Sequence, residues 1–219
     1  MERRPEPELM DDPEQALAYA ESDFAEVNQG FVERFAARFP ELGRCRVVDL
    51  GCGPADIPVR LCRRLPGVEV LALDGSPAML ELAQVAVAQS EVNERVELRE
   101  SRLPDPSLPS GSFDAVISNS LLHHLPDPGV LWSELKRLGR PGAAVLVIDL
   151  FRPPSEDDAR RIVDEAGCSE HPVLLRDFYN SLLAAFTLDE VRAQLEAADL
   201  GHLSVEQISE RHLLVSGRL

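Results

Sequence analysis

The sequence predicts an α/β domain built around a mostly parallel sheet. Three observations point there. Strand signals and helical periodicities alternate from Arg46 to Leu150, which calls for right-handed crossovers between parallel strands. The run Ala143–Leu150 is almost wholly apolar, as in a strand buried on both faces. The first strand ends in a glycine turn from which a helix starts at once, the place where open α/β sheets bind ligands.

The elements follow in order. Residues 1–12 are charged and proline-bearing and are expected to fray. From Pro13 to Phe39, Ala16, Tyr19, Ala20, Phe24, Val27, Phe31 and Phe35 recur at helical spacing, giving two helices divided near Ser22–Asp23. Arg46–Leu50 is the first strand. Ile57, Leu61 and Leu65 mark a helix ending before Gly67, and Val68–Leu73 is the second strand. Ser76 and Pro77 read as N-cap and first residue of a helix with Met79, Leu82, Ala83, Ala86 and Val87 on one face. Arg95–Leu98 and Phe113–Ser118 are the third and fourth strands. A helix opens at Asp127–Pro128, carries Leu131, Leu135 and Leu138, and is expected to close at Gly139 and Pro141. Ala143–Leu150 is the fifth strand.

The rhythm breaks at Arg152-Pro153-Pro154. Two helical stretches follow, one with Ala159, Ile162, Val163 and Ala166 before Gly167, the other with Leu174, Leu175, Phe178, Leu182 and Phe186. This segment reads as an insertion over the sheet's edge. Thr187-Leu-Asp-Glu190 is a capping box opening a helix with Val191, Leu195 and Ala198. The last two strands, Leu203–Ser209 and His212–Val215, are joined only through Glu210 and Arg211, so they pair antiparallel.

Composition narrows the function. The 219 residues, 44% hydrophobic, suit one domain. No apolar stretch approaches the roughly 20 residues of a membrane helix, and the charged start lacks the apolar core of a signal peptide. A cytoplasmic protein is expected. Cys45, Cys52, Cys62 and Cys168 form no C-x-x-C pair, so reduced thiols and no metal are expected. The net charge of −16, with Lys136 the single lysine, repels polyanions. No nucleic-acid or membrane partner is expected.

The chemistry concentrates in Val47-Val-Asp-Leu-Gly-Cys-Gly-Pro-Ala-Asp56. Gly51 and Gly53 allow close backbone approach and positive φ, and Cys52 between them reads as a small residue. A dinucleotide loop would carry a third glycine three positions beyond Gly53; here that position is Asp56, and Asp49 precedes the loop. A carboxylate there suits a cationic, amino-bearing ligand better than a pyrophosphate.

Val-Asp-Leu-Gly-Cys-Gly resembles motif I of the class I S-adenosylmethionine-dependent methyltransferases of small-molecule type. The resemblance covers residues 44 to 150 by motif and extends to 219 by topology. It implies a Rossmann-like seven-stranded sheet in the order 3-2-1-4-5-7-6 with strand 7 antiparallel. It implies N-terminal helices over 1–43 as a cap, a methyltransferase domain over 44–219, and a helical lid at about 153–187. The cofactor implied is S-adenosyl-L-methionine, leaving as S-adenosyl-L-homocysteine. Asp49, Gly51, Cys52 and Gly53 would wrap its methionine part. Ala55 stands where many members have a third glycine, and is expected to fit with negative φ.

Leu71-Ala-Leu-Asp-Gly-Ser-Pro-Ala-Met-Leu80 resembles the second motif. Asp74 would accept hydrogen bonds from the ribose hydroxyls, with Gly75, Ser76 and Met79 beside ribose and adenine. Glu100-Ser101-Arg102 falls where the family places an acidic adenine contact. Ser118 and Asn119 would end the fourth strand beside the methyl group. Tyr19 and Phe24 could close the cofactor cavity. His123 and His124 are candidate general bases, or helix-start packing residues. Arg176, Tyr179 and Asn180, in the lid, could grip a substrate carboxylate or hydroxyl, or pack and pair at the surface. The function implied is methyl transfer to a small molecule by a monomer or homodimer. A non-catalytic cofactor-binding protein, a peptide or protein methyltransferase and a nicotinamide oxidoreductase are the alternatives, the last opposed by Asp49 and the missing glycine.

Overall fold

In the computed structural model the described residues are 1–6, 15–17, 19, 24–165 and 172–219. The elements are α1 (Ala25–Arg38), β1 (Cys45–Leu50), α2 (Asp56–Arg64), β2 (Val68–Asp74), α3 (Pro77–Ala88), β3 (Val96–Glu100), β4 (Phe113–Asn119), α4 (Gly129–Leu138), β5 (Gly139–Leu150), α5 (Glu156–Glu165), α6 (Pro172–Ala184), α7 (Leu188–Ala197), β6 (Ser204–Ser209) and β7 (His212–Arg218), with a 3-10 turn at Leu122–His124. Residues 15–17 and 19 are also helical. The expected helix break at Ser22–Asp23 and the segment with Ala166, Gly167 and Cys168 lie outside the described residues.

The seven strands lie in the order β3-β2-β1-β4-β5-β7-β6. β1 to β5 are mutually parallel, and β7 runs antiparallel to both β5 and β6. This is the order the motifs imply. Alternate residues of the central strands face opposite layers, as the two-residue period of a strand dictates. Val47, Val70, Ala115, Ile117 and Leu146 pack with Phe31 and Phe35 of α1, Leu61 of α2 and Ala83 of α3. Val48, Leu71, Val116, Val145 and Val147 pack on the other side with Leu131, Trp132 and Leu135 of α4 and Val191 and Leu195 of α7. Trp132 is fully buried, and its Nε1–H donates to Gln194 Oε1 at 2.9 Å. A large apolar ring with its one donor satisfied thus ties α4 to α7.

A third cluster caps the carboxyl edge. Ala159, Ile162 and Val163 of α5 meet Leu182 and Leu183 of α6 and Leu150 at the end of β5. The insertion after the fifth strand is therefore two helices folded onto the sheet's end. Thr187 and Glu190 close the expected capping box at α7: Thr187 Oγ1 accepts from Glu190 N–H, and Glu190 Oε2 accepts from Thr187 N–H at 2.8 Å.

The α4–β5 junction and the chain start differ from expectation. No loop separates α4 from β5, because the chain passes into strand at Gly139. Gly139 already pairs with Phe113, across a register shift before Ala115, so sheet pairing captures residues whose glycines and proline suggested a turn. Residues 1–6 are not frayed. Arg3 Nε donates to Ala184 O at 2.6 Å, its Nη2 to the His123 and Leu125 carbonyls at 2.9 and 3.3 Å, and Arg4 N–H to Leu183 O at 3.0 Å. Arg3 also stacks over Phe186, 4.1 Å from the ring centre.

Candidate active site

A cleft of about 1170 Å³ opens at the carboxyl ends of the central strands. Its floor is the turn after β1. Gly51, Gly53 and Ala55 have φ of +77°, +52° and +63°. The expectation of negative φ at Ala55 is corrected. The turn needs three left-handed residues in five, and alanine fills the last, beside the start of α2, with its side chain buried. That conformation costs an L-residue roughly 1–2 kcal/mol. The turn is stitched to β2. Gly51 and Cys52 donate to Leu73 O at 2.9 and 2.8 Å, and Gly53 N–H donates to Asp74 Oδ2 at 2.7 Å. A Cβ on Gly51 would meet the Leu121 side chain at 3.0 Å, whereas one on Gly53 would protrude into open space.

Two carboxylates shape the field. Asp49 lines the cleft at 2% exposure, and burial, with Asp74 adding repulsion, pushes its carboxyl up to about 8. Such a group favours a cation beside it, which would return it to the charged form. Asp74 ends β2, held by Gly53 N–H and by Ser76 N–H donating to Oδ1 at 2.8 Å. Ser76 Oγ in turn caps α3 by accepting from Met79 N–H at 3.2 Å. Tyr19 packs against Phe24 with ring centres 4.8 Å apart. Burial, then Asp74 and Asp56, push its phenol up to about 12.

The opposite end of the cleft is walled by the 3-10 turn and α6. His123 Nδ1 lies 2.6 Å from Asp149 Oδ1. Asp149 is itself fixed by Leu122 N–H at Oδ2 (2.7 Å) and Leu150 N–H at Oδ1 (2.8 Å). Glu6 Oε1, from the chain start, stands 3.5 Å from His123 Nε2 and 3.2 Å from His124 Nδ1, and accepts from Ser181 Oγ at 2.9 Å. Burial alone would lower the His123 pKa, but Asp149 and then Glu6 outweigh it and raise it. Burial raises the Glu6 carboxyl against the opposing pull of His123 and Ser181.

A family model described as a methyltransferase domain matches residues 48–147, the segment from the middle of β1 to the middle of β5 that builds this floor. The 27-O-demethylrifamycin SV methyltransferase of Amycolatopsis mediterranei is 27% identical over 189 residues, covering 84% of this chain and 64% of that protein. The demethylmenaquinone methyltransferase of Lactiplantibacillus plantarum is 37% identical over 109 residues, 49% of this chain and 46% of that one. The chain thus spans 46–64% of the length of these relatives. The crystal structure of a SAM-dependent methyltransferase from Aquifex aeolicus shares the fold, with TM-score 0.65 and 20% identity over 94% of this chain and 98% of that one. Residues 48–147 thus match a methyltransferase domain, and the chain is similar to methyltransferases in sequence and to a SAM-dependent methyltransferase in fold.

S-adenosylmethionine, the cofactor that the motifs imply, fits the residues present. A cationic amino-acid tail answers the buried Asp49, and the open face of Gly53 leaves room that a side chain would fill. Of the cofactor residues expected from the sequence, Tyr19, Asp49, Gly51, Cys52, Gly53, Asp74, Gly75, Ser76, Met79, Ser101, Arg102 and Asn119 line the cleft. Glu100 does not. It is exposed at the end of β3, beside Pro77 and Leu80 in a separate hollow. Ser118 does not either; it is buried, and its Oγ donates to Leu50 O at 2.7 Å.

His123 and His124 both line the cleft, but the ring nitrogens of His123 face Asp149 and Glu6. On α6, Arg176, Tyr179 and Asn180 turn away from the cleft. Arg176 pairs with Asp177, Tyr179 donates to Glu156 Oε2 at 3.1 Å, and Asn180 is exposed. Leu174, Asp177, Phe178 and Ser181 line the cleft instead, the i, i+3, i+4, i+7 face of α6. Sequence reasoning also missed Glu6, Asp149, Arg211 and His212. The acid inside the apolar run 143–150 was the visible sign of Asp149, since a buried carboxylate needs partners. Glu6 left no sign in a charged, proline-rich start.

Proposed function

We propose that the protein transfers a methyl group from S-adenosylmethionine to a small-molecule acceptor. One observation carries the reading. Asp49 and Asp74, at the ends of adjacent strands, face a single cleft across the left-handed Gly51–Gly53 turn. The cofactor supplies a methyl group already activated by a sulfonium charge, so the chain's own task is mainly orientation. Asp49 holds the cationic end, Asp74 the ribose, and Ser101, Arg102 and Leu103 flank the far side. His123, His124, Leu174, Asp177 and Phe178 bound the acceptor end, a partly aromatic and partly polar wall suited to a ring-bearing metabolite. We place the two histidines at the reacting end of the acceptor, His123 held between Asp149 and Glu6. Acceptor recognition passes to the α6 face that includes Asp177 and Ser181 rather than to Arg176, Tyr179 and Asn180.

The acidic surface, net −16, argues against a nucleic-acid acceptor. Cys45, Cys52 and Cys62 are free and buried, and among the described residues no helix is long and apolar enough to cross a membrane. These features support a cytoplasmic setting. Residues 1–43 act as a cap on a domain over 44–219.

Calorimetry with S-adenosylmethionine and transfer of labelled methyl to a metabolite panel test the reading. Asp74→Ala should weaken cofactor binding by about 1.5–3 kcal/mol, the loss of charge-assisted hydrogen bonds, or roughly 10- to 150-fold. Absence of binding by the wild-type chain, or an unchanged Kd in Asp74→Ala, refutes it.

A further inference from the structure

We propose that Glu6, His123 and His124 form a binding site for a divalent transition-metal ion on the wall of the acceptor end. The binding site itself stands apart from the methyltransferase reading, whereas its role toward an acceptor rests on that reading. The three side chains each offer one ligand atom, and these atoms all lie within 4.8 Å of one another. Glu6 Oε1 is 3.5 Å from His123 Nε2 and 3.2 Å from His124 Nδ1. Charge-assisted N–H···O bonds are shorter, about 2.7–2.9 Å. The two Glu6 separations lie in the range of the edges of a coordination polyhedron. Two ligands each about 2.1 Å from an ion stand about 3.0 Å apart in an octahedron and about 3.4 Å apart in a tetrahedron.

The surroundings support the same role. Metal-bound imidazoles characteristically give their second nitrogen to a carboxylate, which fixes the tautomer and aims the lone pair. Asp149 does this for His123 at 2.6 Å, and two backbone N–H groups hold Asp149. Ser181 Oγ orients the Glu6 carboxylate. The Arg3 hydrogen bonds to the His123 and Leu125 carbonyls pin the chain start against the turn that carries both histidines. Two imidazoles with one carboxylate select zinc, iron or cobalt over magnesium or calcium. Because both histidines line the cleft, an ion held by them is within reach of the acceptor, where it lowers the pKa of a bound hydroxyl. That is a route to acceptor activation which His123, with both nitrogens engaged, does not offer as a free base.

The full chain, stripped with chelator, is titrated with zinc by calorimetry and with cobalt by visible absorption, alongside Glu6→Gln and His124→Ala. One equivalent bound at micromolar Kd or tighter, weakened at least tenfold in each variant, is expected, as are cobalt d–d bands that disappear in Glu6→Gln. No uptake by the wild-type chain, or equal uptake by all three proteins, overturns the site. Cofactor affinity is read in the same samples. Cofactor binding without metal uptake removes the metal site and leaves the methyltransferase reading, whereas metal uptake without cofactor binding does the reverse.

Discussion

At the scale of single residues, the site is governed by Asp49. Its carboxyl, pushed up to about 8 by burial and Asp74, is mainly protonated at neutral pH in the free protein. A cationic cofactor requires the charged form, so binding should release a proton. The sign follows directly: below pH 8 affinity rises with pH, by close to tenfold per unit between pH 6 and 7, and levels off above. Calorimetry at pH 7 in two buffers of different ionisation enthalpy should report nearly one proton released. No release would mean that Asp49 is already ionised. Asp49 and Asp74 were legible in the sequence because strand ends and glycine spacing locate them without knowledge of the fold. The positive φ of Ala55 was not, since a side chain's identity says little about a conformation imposed by a turn that neighbouring glycines initiate.

At the scale of elements, helix and strand existence followed from periodicity, and the errors were errors of phase and boundary. Arg176, Tyr179 and Asn180 have the chemistry of a binding site, but the face of α6 that meets the cleft carries Leu174 and Phe178. The polar residues on that face, Asp177 and Ser181, came with it. Gly139 and Pro141 suggested a turn, yet strand pairing with β4 overrode the local preference. The start of α7 shows local and tertiary signals agreeing. Thr187→Ala removes the hydroxyl that caps Glu190 N–H and should cost about 1 kcal/mol, a fall in Tm of about 2–4 °C for a domain of this size. A Tm unchanged in a thermal melt would show that packing alone holds that helix start.

At the scale of the whole molecule, the chain start closes the architecture. Arg3 bonds to carbonyls at the end of α6 and in and just after the 3-10 turn, joining α6 to the sheet edge. Arg3→Ala should lower stability by about 1–3 kcal/mol, the cost of leaving such groups without their partner, and should loosen the acceptor end while sparing cofactor affinity. Calorimetry and denaturant melts read the two separately, and a loss of cofactor affinity equal to that of Asp74→Ala would contradict this division of the cleft.

What the amino-acid sequence determined by itself is whatever local rules encode: the alternation of strand and helix, the left-handed glycine turn, the acids at two strand ends, the caps, and the antiparallel last hairpin. The strand order followed from the family resemblance that its motifs carry. Only the tertiary structure decided which face of α6 meets the cleft, that the first six residues dock, and that Glu6 stands beside His123, His124 and Asp149. The physical reason is distance along the chain. Periodicity and capping act within a few residues, whereas these contacts join parts of the chain far apart in sequence and form only when the sheet brings them to one edge.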